Sequence, residues 1–159
     1  MLKTLALLVF SLATVNPYTN AEGKFTINFP TKDVSHTSEK ASGIDVHMFL
    51  CVHEGVVYLV GYSDFGIKAM NADDKSVAAK AAAEGFMESV SIKGSVKPVK
   101  QSGQKGFEAK GSNQDGTLTT TYRAFMKEDR LYQVGVLGAK GDMPNTKQIK
   151  AFFASFKVF

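Results

Sequence analysis

Cysteine is nearly missing from this chain of 159 residues: Cys51 is its one example, so no disulfide can close within the chain. Cys51 is then either a small buried hydrophobe or a thiol that pairs between chains. Burial is the favoured reading, because unpaired cysteine is usually buried. Arginine is scarce as well, with only Arg123 and Arg130. The charge balance is mildly basic, 19 Lys and Arg against 15 Asp and Glu, and the excess is spread along the chain. Its densest stretch, residues 93–110, interleaves five lysines with glycine, serine and valine and includes Glu108. A nucleic-acid surface carries a tighter basic stripe, with arginines or aromatics for base contact. This stretch reads instead as a solvated strand face, and nucleic acid is not expected as a partner.

Long apolar runs are missing too. Residues 5–13 (LALLVFSLA) make up about half of the ~20 residues a membrane-spanning helix needs. Lys3 precedes this run, and a polar segment follows it as far as Thr19-Asn20-Ala21, with compact residues at positions −3 and −1 of a cut before Glu22. That is the three-part layout of a secretory signal peptide. The expected division is a leader over residues 1–21, cut after Ala21, and a single domain over 22–159. The product would be periplasmic or secreted, with no stable membrane anchor after cleavage. Cys51 is far from the cut, so a lipid-anchored form of the signal is not available. Removing the leader leaves 138 of the 159 residues, the length of one ordinary domain. A chain of that size buries about two-thirds of its unfolded surface, so it needs neither disulfide nor metal to stay folded. No internal repeat or low-complexity linker divides it.

Signatures of a reaction are equally sparse. The chain has no Gly-x-Ser-x-Gly elbow, no phosphate-cradling glycine loop and no dinucleotide fingerprint. His47, Cys51 and His53 form the only local group of good metal ligands. In a strand rising ~3.3 Å per residue, His47 and Cys51 stand roughly 13 Å apart and cannot share an ion. Cys51 and His53 share a face and remain the weak metal candidates, but a site needs three or four ligands, and His36 is the only other histidine. Both residues read more simply as strand positions beside a hairpin turn. A cysteine nucleophile needs an adjacent base, and Cys51 with His53 is the sole local pair. Asp73-Asp74 does not continue into a calcium loop and suits a helix start. No catalytic residue and no cofactor is expected.

What is present is alternation. Lys24-Phe25-Thr26-Ile27-Asn28-Phe29 alternates apolar and polar residues, as a half-buried strand does, and Pro30 ends it. Residues 34–38 form a short edge strand. Ile44, Val46, Met48, Leu50 and Val52 share one face of a strand, and Asp45, His47, Phe49, Cys51 and His53 share the other. Glu54-Gly55 turns the chain into residues 56–62. A helix over about 75–89, capped by Asn71, Asp73 or Asp74, is expected to pack through Val77, Ala78, Ala81, Ala82, Gly85 and Phe86. Further strands follow: an edge piece around Pro98, a turn at residues 103–106 into Phe107, a turn at 113–116 into residues 117–126, and a turn at 128–130 into residues 131–137. Pro144 and Asn145 open a terminal helix with Ile149, Phe152, Phe153 and Phe156 on its core stripe, while residues 156–159 suit either that helix or a short closing strand. Tyr58, Tyr62, Tyr122, Phe125 and Tyr132 fall on strands expected to be neighbours, where they read as core or as the lining of a groove. Short turns force antiparallel neighbours, so the class is α+β, a largely antiparallel sheet with helices packed on its faces.

Four segments resemble the PsbP-like superfamily, which includes the extrinsic lumenal subunit of photosystem II and many exported bacterial proteins. They are Phe25-Thr26-Ile27-Asn28-Phe29-Pro30, Gly103-x-x-Gly106-Phe107-Glu108, Arg130-Leu131-Tyr132-Gln133-Val134 and the terminal Phe152-Phe153-Ala154-Ser155-Phe156-Lys157-Val158. The resemblance implies an antiparallel sheet covered by helices on both faces and a non-enzymatic accessory or binding role. None of the matching positions is a recognised catalytic one. The expectation is an exported non-catalytic domain that acts through protein or small-ligand contacts. The alternatives are a periplasmic protein that binds a small molecule or a metal, and a hydrolase.

Overall fold

Antiparallel pairing between chain neighbours builds most of the molecule. The structure, a computed structural model, describes residues 16–66 and 70–159. In chain order these form β1 (Asn16–Asn20), β2 (Phe25–Phe29), β3 (Val34–Ala41), β4 (Ile44–His53), β5 (Val56–Asp64), α1 (Ala72–Ser89), β6 (Lys93–Gln101), β7 (Gln104–Ser112), β8 (Leu118–Lys127), β9 (Arg130–Ala139), α2 (Thr146–Ser155) and β10 (Lys157–Val158). A seven-stranded sheet runs β3-β4-β5-β9-β8-β7-β6, and a three-stranded sheet runs β1-β2-β10. Every paired neighbour is antiparallel. The α+β class and the antiparallel sheet therefore stand as read from the alternation.

Turn chemistry sets the register. Glu54 and Gly55 have φ of 49° and 76°, the left-handed pair that a tight hairpin turn requires. The turn into β7 is earlier and tighter than expected, and the strand opens three residues before Phe107. Ser102 and Gly103 carry it, with φ of 49° and 78°, and Gln104 already opens the strand. Proline-bearing β6 is the rim of the large sheet, as its missing N–H demands. Of the two endings considered for residues 156–159, the closing strand is found: α2 stops at Ser155, and Lys157–Val158 pairs with β2.

Asn71 caps α1, its Oδ1 accepting from the Asp74 amide at 2.9 Å. The packing stripe is rotated from the expected one. Ala79, Ala83 and Met87 are buried, with Ala78, Ala82, Phe86 and Val90 beside them, while Val77 is 67% exposed and Ala81 and Gly85 face water. Alanine occurs on nearly every side of this helix, so periodicity had little contrast to read.

Two buried clusters lie on opposite sides of the large sheet, as alternation along β8 shows. Phe125 joins Phe25, Phe49, Tyr62, Tyr132, Phe152 and Phe156 in one cluster; Tyr122, Ala124 and Met126 join Leu59, Ala83 and Met87 in the other. Arg123 ties α2 to the sheet. Its guanidinium lies 4.4 Å over the Phe153 ring, and it donates to Glu108 and to Gln101 Oε1 at 2.8 Å each. Gln101 in turn donates to the Phe153 carbonyl at 2.7 Å.

The N-terminal expectation meets a strand. The apolar run 5–13 lies outside the described residues, but the polar segment that follows it includes β1, paired residue by residue with β2 from Asn16↔Phe29 to Asn20↔Phe25. The expected cut after Ala21 falls in the turn that joins these two strands.

Candidate functional site

Three elements distant in sequence end at one place. Pro30 stops β2, the Glu54-Gly55 turn reverses β4 into β5, and Pro144-Asn145 starts α2. Between them lies a cleft of about 380 Å³. Its walls are apolar: Phe29, Pro30, Val56, Tyr58, Pro144, Ala151 and Phe152. Phe152 anchors them, its ring edge-on to Tyr58 at 5.1 Å and tilted against Phe29 at 6.1 Å. Polar groups gather around these walls: Asn28, His53, Glu54, Asp142 and Gln148.

Local physics holds this border in place. Asn145 Oδ1 accepts from the Gln148 amide, and Gln148 Oε1 accepts from the Asn145 amide, both at 3.0 Å. This reciprocal cap fixes the first turn of α2. Asp142 comes close to the hairpin turn: a Cβ on Gly55 would stand 3.1 Å from its Oδ2. The Tyr58 hydroxyl is held in its neutral form, since burial, then the nearby Cys51 and Glu54, push its pKa up. The cleft thus presents an apolar floor, a phenol, an imidazole and two carboxylates.

The expected site residues separate. Cys51 is fully buried, with Sγ 3.2 Å from Thr31 Oγ1, which fits the small-hydrophobe reading, and it does not line the cleft. His53 is half-buried on the cleft, with Nε2 3.9 Å from Glu54 Oε1. Among the described residues no group of three or more His, Cys, Asp or Glu is placed to hold a metal ion. The other two histidines meet each other: His36 Nε2 lies 3.2 Å from His47 Nδ1. Their rings lie over the buried rings of Phe49 and Tyr62, at 4.4 and 4.5 Å. Tyr58, Tyr62, Tyr122, Phe125 and Tyr132 are all buried, so they are core, and only Tyr58 reaches the cleft. The five lysines of residues 93–110 are exposed, three on β6 and two on β7.

Phe29, Phe152, Asp142 and Gln148 escaped the sequence reading as site residues. The two phenylalanines look like ordinary core positions, and no local pattern shows that their elements leave a gap between their ends.

The same fold is found in solved structures. The chain is similar to the solution structure of cyanobacterial PsbP (CyanoP) from Synechocystis sp. PCC 6803, with a TM-score of 0.61 and 13% identity over 95% of this chain and 96% of that one. It is also similar to a crystal structure from Bacteroides thetaiotaomicron, with a TM-score of 0.51 and 14% identity over 91% of this chain. The chain spans 48% of that protein's length, about half. No protein-family model and no curated protein matches the chain. The fold is PsbP-like: a mostly antiparallel α+β domain, with two helices among the described residues.

Proposed function

We propose that this chain is an exported, non-catalytic binding domain, with its two helices packed on opposite faces of the large sheet, and that it takes a small, partly apolar ligand in the cleft at the start of α2. One observation carries the ligand reading: a cleft of about 380 Å³ with seven apolar lining residues and a few polar groups around them. Small-molecule sites have this size range and this mixture. The non-catalytic reading is supported by the placement of the one cysteine, since the Cys51 thiol is buried against Thr31 and does not line the cleft.

The test is amide-detected NMR with a set of small aromatic and aliphatic fragments. Shifts should cluster at Val56, Tyr58, Ala151 and Phe152. They should disappear in Ala151→Trp, where an indole enters the cleft from an exposed helix position. A fragment set that moves none of these resonances, or moves them equally in Ala151→Trp, overturns the cleft as a binding site.

A further inference from the structure

β1 conflicts with the cut that the sequence suggests. A cut after Ala21 would remove all five of its residues, and each of them pairs with β2. It would also remove Tyr18, whose ring packs against Phe29 and Phe49 at 5.7 Å and against Phe25 at 6.2 Å. Phe25, Ile27 and Phe29 are at most 1% exposed. Without β1, the strand carrying them would keep only Lys157 and Val158 of β10 as sheet partners. Asn16 adds a further tie, its Nδ2 donating to the Pro30 carbonyl at 3.0 Å.

In the turn after β1 one hydrogen bond crosses the expected cut, and two more hold the residues that follow it. Asn20 Oδ1 accepts from the Gly23 amide at 2.5 Å. Arg130 donates to the Glu22 carbonyl at 2.6 Å, and the Tyr132 hydroxyl donates to the Gly23 carbonyl at 2.9 Å. A leader is removed while the chain is still extended, so these bonds do not block the cut. What decides is the set of strands the finished fold uses.

We infer that the leader is removed upstream of Asn16, so that the mature protein keeps β1. This rests on the export reading. The step is hydrolysis of one amide bond ahead of Asn16 by the exporting cell's leader peptidase: water adds across the bond, leaving a carboxylate on the leader and a new amino terminus on the mature chain.

The experiment expresses the full chain in a Gram-negative host and determines the amino terminus of the envelope-fraction protein by intact mass and Edman sequencing. A terminus at Thr14, or at any residue up to Asn16, supports the inference. A terminus at Glu22 overturns it and leaves export standing. Protein that still begins at Met1 and stays in the cytoplasm overturns the export reading itself, and the inference with it. A second measurement compares purified chains 14–159 and 22–159. The shorter chain should melt about 10 °C lower, since domains of this size shift by a few degrees for each unit of lost stability. Equal melting temperatures overturn the structural need for β1.

Discussion

The ring of Phe86 on α1 lies face to face with the ring of Tyr122 on β8, with 3.9 Å between centroids and 4° between planes. This contact, rather than the alanine stripe around it, gives the helix its specific seat on the sheet. Phe86 is half-buried, so Phe86→Ala should cost about 2–3 kcal/mol, less than the ~3–5 kcal/mol of a fully buried phenylalanine. Val77→Ala, on the side that pattern alone would have placed inward, should change stability by less than about 0.5 kcal/mol. Urea denaturation of the two variants measures both values. A larger loss in Val77→Ala than in Phe86→Ala would mean that the helix sits in a different rotation.

Gln101 bridges a helix and a strand with one amide group. Its nitrogen serves the Phe153 carbonyl, and its oxygen accepts from Arg123. Gln101→Ala removes one of the two donors to the Phe153 carbonyl, which keeps the Phe156 amide, and one acceptor of Arg123, at a cost of about 0.5–1.5 kcal/mol for each lost bond. The same denaturation curves will show it. A neutral result would place water in the gap.

Alkaline pH should weaken the fold through its tyrosines. Burial, then the Glu22 carboxylate, push the Tyr62 phenol up to about 12. Burial also raises Tyr58, Tyr122 and Tyr132. The folded chain therefore holds these protons more tightly than the unfolded chain, whose phenols ionise near pH ~10. The stabilisation is fully present below that pH and fades as pH rises through about 12 for Tyr62. Absorbance of phenolate against pH should show these groups ionising late in the native protein and near pH ~10 in denaturant. Tyr62→Phe should flatten the alkaline fall in stability by one group's share.

The thiol of Cys51 should resist a disulfide reagent in the native protein and react at once in guanidinium, because the side chain is fully buried against Thr31. Rapid labelling without denaturant, or a disulfide-linked dimer on a non-reducing gel, would contradict this burial.

Much of the fold could be read from residues acting locally. Phe25-Thr26-Ile27 alternates because only one side of β2 is dry, Glu54-Gly55 reverses the chain because both positions take positive φ, and Asn71 and Asn145 announce helices because their side chains accept from the first-turn amides. Three things stayed hidden, each for a physical reason. Asn16–Asn20 (NPYTN) has a single aromatic in a polar setting and includes Pro17, so its strand character comes from pairing with β2 rather than from its own pattern. The rotation of α1 was lost among alanines. The cleft arises where Phe29, Val56 and Phe152 come together from three parts of the chain, and no spacing within any one of them encodes that meeting.

The rim strand β6 has a consequence beyond the single molecule. Pro98 withholds an amide there, and Lys93, Lys97 and Lys100 stand exposed along the same border. A second copy approaching from this side finds an interrupted ladder and like charge. Edge addition is thereby disfavoured at this margin of the large sheet, so a stack that joins β6 to a neighbour has no continuous ladder.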